Sequence, residues 1–90
     1  MTRATVHIAG MLVHARPDAV ETAIETVRSF NHAEVHASGI VGKFAVVLEC
    51  TREREIAECI EQLQAIPGVI SVSMTSHYIE DAAELAAEMP

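Results

Sequence analysis

Two short stretches of the chain carry the same helical stripe of apolar residues, and this repeat restricts the possible folds more than any other feature. In each stretch the apolar side chains recur at positions i, i+3, i+4 and i+7, which places them on one face of an α-helix. The two stripes are Val20, Ala23, Ile24 and Val27, and Ile56, Cys59, Ile60 and Leu63. We therefore predict amphipathic helices over Pro17–Phe30 and Thr51–Ile66, with Thr51 as the N-cap of the second.

Strand-like segments precede, separate and follow the two predicted helices. Thr5–His14 is rich in Val, Ile and Leu, whereas Ala33–Ala37, Lys43–Cys50 and Val69–Tyr78 show alternating patterns. The resulting order is β-α-β-β-α-β, with two similar halves. This order predicts an α+β fold, the ferredoxin-like split β-α-β-β-α-β sandwich, in which two helices cover one face of a four-stranded antiparallel sheet.

The length and composition of the chain allow one globular domain. Half of its 90 residues are hydrophobic and 21% are charged, and a domain of this size buries roughly 60–65% of its unfolded surface. Such a core supports one sheet backed by two helices but not a deep enzyme cavity. We expect the domain to span residues 1–78 and to be followed by an acidic, mobile tail over residues 79–90.

The charge balance indicates the kind of partner that the chain can bind. Thirteen acidic residues against six basic ones give a net charge of −7, which disfavours nucleic acid and favours a cationic partner. The two cysteines are fewer than a small secreted domain usually carries. With no cleavable signal and no apolar run that would span a membrane, we expect a cytoplasmic protein without membrane insertion.

One face of the predicted sheet has no helix over it, so its apolar residues form a candidate docking surface. The first strand is apolar on both sides: Ala9, Met11 and Val13 face outward if Val6 and Ile8 face the helices, and the opposite assignment is also possible. The candidate peptide-binding residues are His7, Ala9, Met11, Val13, Glu34, Ala45, Val47, Glu49, Ser73, Thr75 and His77. Dimerisation through the same face is the alternative, so we expect a monomer or a weak homodimer.

The sequence offers little for catalysis. It lacks a Gly-x-Ser-x-Gly turn, a phosphate-binding glycine-rich loop and a His-Glu-x-x-His motif. Cys50 and Cys59 are predicted to be small core residues. His7 and His77 are predicted neighbours on the open face, but two ligands are too few for a structural zinc site, which needs four. We expect no enzyme activity, no metal site and no cofactor.

Three segments resemble the NapD family over nearly the whole chain. Ile8–Arg16 is similar to the first strand of NapD proteins, and Gly42–Glu49 is similar to their third strand. Ile66–Met74, followed by His77, resembles the family's Gly-Val-x-x-Val-Ser-Leu-Val-Tyr-His segment.

This chain departs from the NapD pattern at a few positions. Gly10 stands where the family usually has serine, and Ser76 stands where it has the tyrosine before the histidine, with Tyr78 following instead.

The resemblance implies a cytoplasmic chaperone that binds the twin-arginine signal peptide of the NapA precursor, the catalytic subunit of periplasmic nitrate reductase. Such a chaperone holds the peptide away from the Tat translocase until the molybdenum cofactor is inserted. An acidic domain with a partly apolar open face is suited to a peptide with two arginines followed by an apolar segment. The alternative is a ligand-sensing or oligomerising regulatory module of the ACT type, which has the same order of elements.

Overall fold

Four antiparallel strands form one sheet, and two helices cover one of its faces. The computed structural model describes residues 5–81. Its elements are β1 (Thr5–Ala15), a short 3-10 helix (Pro17–Ala19), α1 (Val20–Arg28), β2 (Ala33–Ala37), β3 (Lys43–Cys50), α2 (Arg54–Gln64) and β4 (Val69–Asp81). The strand order is β2-β3-β1-β4, so β1 and β3 are central and the predicted ferredoxin-like architecture is confirmed.

The core lies between the helices and one face of the sheet. Phe44 and Val46 of β3 pack against Val27 of α1 and Leu63 of α2, all of them at most 1% exposed. Ile24 and Ile60 lie at the edge of this core and are only partly buried. No helix in the described residues is long and apolar enough to span a bilayer.

The start of α2 differs from the prediction that Thr51 is its N-cap. The helix begins at Arg54, and its N-cap residue, Glu53, makes no side-chain capping bond. Instead, the backbone N–H groups of Thr51 and Arg52 donate to Glu55 Oε2 at 3.3 and 3.2 Å. A carboxylate inside the first turn thus satisfies the donors that precede the helix.

The prediction that Ala9, Met11 and Val13 face outward is wrong. Each is at most 1% exposed and belongs to the core beneath the helices. The register explains their burial, because Met11 is paired with Val46 and Val13 with Phe44, both on the helix-facing side of β3. Since β1 is apolar on both faces, its own alternation did not determine which face is buried, and the opposite assignment holds.

β4 extends beyond the predicted strand. Its pairing with β1 continues to Asp81, so the domain boundary predicted after residue 78 lies inside the strand. A register shift opposite Gly10 and Met11 changes the alternation of β4 near Thr75. Residues 82–90 of the predicted tail lie outside the described residues.

Candidate functional site

The sheet face opposite the helices, called here the open face, brings together alternate residues of all four strands. It consists of Glu34 and His36 of β2, Lys43, Ala45, Val47 and Glu49 of β3, Val6, Ile8, Gly10, Leu12 and His14 of β1, and Ser71, Ser73, Ser76, Tyr78 and Glu80 of β4. In the described residues both helices pack on the other side, so these side chains are available to a partner.

An apolar strip runs along the centre of the open face. It is formed by Ile8, Leu12, Ala45, Val47 and Tyr78. The register places Leu12 beside Ala45, and Ile8 beside Tyr78 of the neighbouring strand. The first four residues are half-buried, whereas Tyr78 is 61% exposed. A solvent-facing side of an antiparallel sheet is usually polar, so this strip has the character of a binding surface.

Gly10 leaves space in the middle of the strip, and two hydroxyls of β4 occupy it. A Cβ atom at Gly10 would lie 2.6 Å from Ser76 Oγ and 3.2 Å from Thr75 Oγ1. The two hydroxyls add hydrogen-bonding groups beside the apolar side chains of β1 and β3. The open face therefore offers both apolar contact and hydrogen bonds to a bound chain.

The charged residues of the open face are divided between its two ends. Lys43 is paired with His14 near the β2–β3 connection, whereas Glu49 and Glu80 lie at the opposite end. Glu49 lies six residues after Lys43 along β3, which corresponds to about 20 Å. Glu34, paired with Val47, adds a third carboxylate along the edge.

His7 and His77 are neighbours, but they do not lie on the open face. His7 Nδ1 lies 3.1 Å from His77 Nε2, and the two rings are stacked with centroids 5.4 Å apart. Their sheet partners include Cys50 and Ala9 on the helix-covered side, so the predicted adjacency is confirmed and the predicted face is wrong. Among residues 5–81, no three His, Cys, Asp or Glu side chains are grouped to hold a metal ion.

The two cysteines are buried free thiols. Burial, followed by the nearby Glu55 charge, raises the pKa of the Cys50 thiol above its usual range. Burial, followed by interaction with Cys50, likewise raises the pKa of the Cys59 thiol. Both thiols stay protonated near neutral pH and are poor nucleophiles, because the thiolate is the reactive form. They line a groove of about 540 Å³ between the helices and the end of β3.

Comparison with known proteins places this geometry in a family. The model of the NapD protein family matches residues 6–81. The chain belongs to the NapD family. Chaperone NapD of Haemophilus influenzae is 28% identical over 72 residues, which cover 79% of this chain and 77% of that protein.

The fold of this NapD-family chain also occurs in a solved structure. The solution structure of the E. coli Tat proofreading chaperone protein NapD superposes with a TM-score of 0.72 at 24% identity, covering 94% of this chain and 87% of that one. Both relatives are named as chaperones and not as enzymes, which confirms the prediction of a non-enzymatic protein. Neither name supports the alternative of an ACT-type ligand sensor.

The structure brings about half of the predicted site residues together on the open face of this NapD-family chain. Glu34, Ala45, Val47, Glu49 and Ser73 lie there, and Thr75 lies at the register shift with its hydroxyl beside Gly10. The remaining predicted residues, His7, Ala9, Met11, Val13 and His77, lie on the helix-covered side.

The site list derived from the sequence omitted several residues of the open face. They are Val6, Ile8, Gly10, Leu12, His14, His36, Lys43, Ser71, Ser76, Tyr78 and Glu80. Gly10 is the residue from which the exposed face of β1 could have been predicted. A strand face packed under two helices needs side-chain volume, and a glycine on that face would leave a cavity. With Gly10 turned outward, Ile8 and Leu12 must also face outward.

Proposed function

We propose that this chain is a cytoplasmic chaperone that binds the twin-arginine signal peptide of the NapA precursor. By binding the peptide, it keeps the precursor from export while the cofactor is inserted into the catalytic subunit. Membership of the NapD family supports a chaperone role. The observation that carries the peptide assignment is the apolar strip, which lies on an uncovered sheet face and is bordered by carboxylates.

The two parts of a twin-arginine peptide match two features of the open face. Its apolar segment would cover Ile8, Leu12 and Val47, and removal of this surface from water supplies roughly 25 cal/mol per Å² of apolar area. Its guanidinium groups would meet carboxylates such as Glu49, with which arginine forms charge-assisted and often bidentate hydrogen bonds. Apolar burial thus supplies affinity, and the charges supply orientation and a faster encounter.

The proposed mechanism is competition for one peptide. A signal peptide held on the open face is not available to the translocase, and its release follows from the concentrations and affinities of the two receptors. No covalent step is required, in agreement with the protonated, buried thiols of Cys50 and Cys59.

The proposal is tested by titrating the chain into a fluorescently labelled NapA signal peptide and measuring the fluorescence anisotropy of the peptide. Val47→Asp and Leu12→Asp place a charge on the apolar strip, where a bound apolar segment must be desolvated, and each is expected to weaken binding by about tenfold or more. A peptide with both arginines replaced by lysine is expected to bind less tightly, because lysine lacks the bidentate geometry.

Val41→Asp is the matched control, since Val41 is 81% exposed in the β2–β3 connection and lies outside the strip. It should bind the peptide like the unaltered chain, and circular dichroism should show all three variants folded. If the unaltered chain does not bind the peptide, or if folded Val47→Asp and Leu12→Asp bind as well as Val41→Asp, the proposal is wrong.

A further inference from the structure

The charges of the open face change sign along the direction of the strands. At the end near the β2–β3 connection, Lys43 is paired with His14. His36 lies beside Ala45 in the next cross-strand row, with its Nε2 3.6 Å from Glu34 Oε2. Towards the other end, Glu49 lies beside Ile8 and Glu80 lies beside Val6. The open face therefore has a basic end, whose charge comes from Lys43, and an acidic end, whose charge comes from Glu49 and Glu80.

The apolar strip connects the two ends. Ala45 and Leu12 lie next to the basic end, and Ile8 with Tyr78 lies next to the acidic end. The distance from Lys43 to Glu49 is about 20 Å along β3, and a helix of about 13 residues has this length. A peptide that covers the strip therefore reaches both ends.

The two ends act as separate electrostatic sites. Their separation exceeds the screening length of about 8 Å at physiological ionic strength. The attraction of a guanidinium pair to the carboxylates at one end is therefore not cancelled by repulsion from Lys43 at the other end. Placed at the opposite end, the same pair would lie beside Lys43, and the Glu34 carboxylate that reaches towards that end already contacts His36 Nε2 at 3.6 Å.

We propose that this division of charge fixes the direction in which the signal peptide lies on the open face. The arginine-bearing amino end lies over Glu49 and Glu80, and the apolar segment runs along the strip towards Lys43, parallel to β1. This inference rests on the proposed function and adds to it the polarity of the bound peptide. It assigns a positioning role to Lys43, which excludes the arginines from one end.

Paramagnetic broadening of backbone amide signals tests the direction. One peptide carries a nitroxide next to the arginine pair, and a second carries it at the carboxyl end of the apolar segment. The first label is expected to broaden the amides of Glu49 and Tyr78 most strongly, and the second those of Lys43 and Ser71. Reversed broadening, or equal broadening at both ends, would overturn the inference while leaving peptide binding established. If titration with the peptide changes no backbone amide chemical shift, the proposed function and this inference are both overturned.

A charge exchange provides the second test. The double variant Lys43→Glu/Glu49→Lys keeps the net charge of −7 but leaves only one carboxylate at either end and places a lysine beside Glu80. It is expected to weaken binding by about fivefold or more, because neither end then attracts both arginines. Arg54→Glu/Glu61→Lys makes the same exchange between exposed residues of α2 and is expected to leave the affinity unchanged. Equal affinity of the two folded double variants would contradict an electrostatic origin of the direction.

Discussion

Gly68 joins the end of β1, the 3-10 helix and the start of β4 at one point. Its φ of +90° lies in the left-handed region that favours glycine. Its carbonyl oxygen accepts a hydrogen bond of 2.8 Å from the Arg16 N–H, and a Cβ atom at this position would collide with Ala19 Cβ. Both the backbone conformation and the contact with the neighbouring turn therefore require glycine.

Gly68→Ala is expected to lower the free energy of unfolding by more than the ~1–2 kcal/mol that a left-handed residue with a side chain costs. The excess arises from the contact with Ala19. Gly39→Ala is the control, because Gly39 has a similar φ of +78° but no neighbour within 4 Å of the added Cβ. Urea unfolding of the two variants provides the comparison. Equal losses in the free energy of unfolding would show that the structure around Ala19 adjusts to the added Cβ without any further loss of stability.

Met11 and Met74 are paired across β1 and β4, but their environments differ. Met11 is 1% exposed and Met74 is 50% exposed. Met11→Ala is expected to destabilise the fold by about 2–5 kcal/mol through the cavity that it leaves. Met74→Ala is expected to cost clearly less in the same chemical-denaturation measurement. Similar losses for the two variants would contradict the face assignment of β1.

At the scale of the elements, the sequence predicted the faces of β3 and misassigned those of β1. Polar Lys43 and Glu49 alternate with Phe44 and the other apolar residues of β3, so only one assignment buries the apolar side. β1 has apolar residues on both sides, and its orientation depends on its pairing with β3. The length of β4 likewise depends on pairing with β1, which extends it to Asp81.

The cysteines of β3 and α2 are expected to make stability fall in alkaline solution. The pKa of both thiols is raised in the folded chain. The contribution of the thiols to the free energy of unfolding is therefore fully present below the unfolded-state thiol pKa of about 8.5. As pH rises further, the unfolded chain loses its thiol protons first and becomes relatively more favourable. Between pH 7.5 and 10, the unaltered chain should lose more stability than Cys50→Ala/Cys59→Ala. An identical pH dependence of the two proteins in urea unfolding would contradict the raised pKa values.

At the scale of the whole molecule, two helices bury one sheet face and leave the other to carry function. The order of elements follows from the sequence, because the helical stripes and the strand alternation agree. The strand order β2-β3-β1-β4, with β1 and β3 central, is that of the ferredoxin-like fold predicted from this order of elements. About half of the candidate site was predictable, since Val47 and Glu49 of β3 were correctly placed outward. The remainder required the register of β1, which is a tertiary property.

The central claim is that the signal peptide binds on the open face. It is tested most directly by mapping the changes in backbone amide chemical shifts during titration with the NapA signal peptide. We predict the largest changes on the open face, at Ile8, Leu12, Val47 and Tyr78, with only small changes along α1 and α2. The chain would then bind the peptide on the uncovered side of its sheet. The largest changes on the outer faces of α1 and α2, or no changes at all with the peptide in excess, would contradict this account.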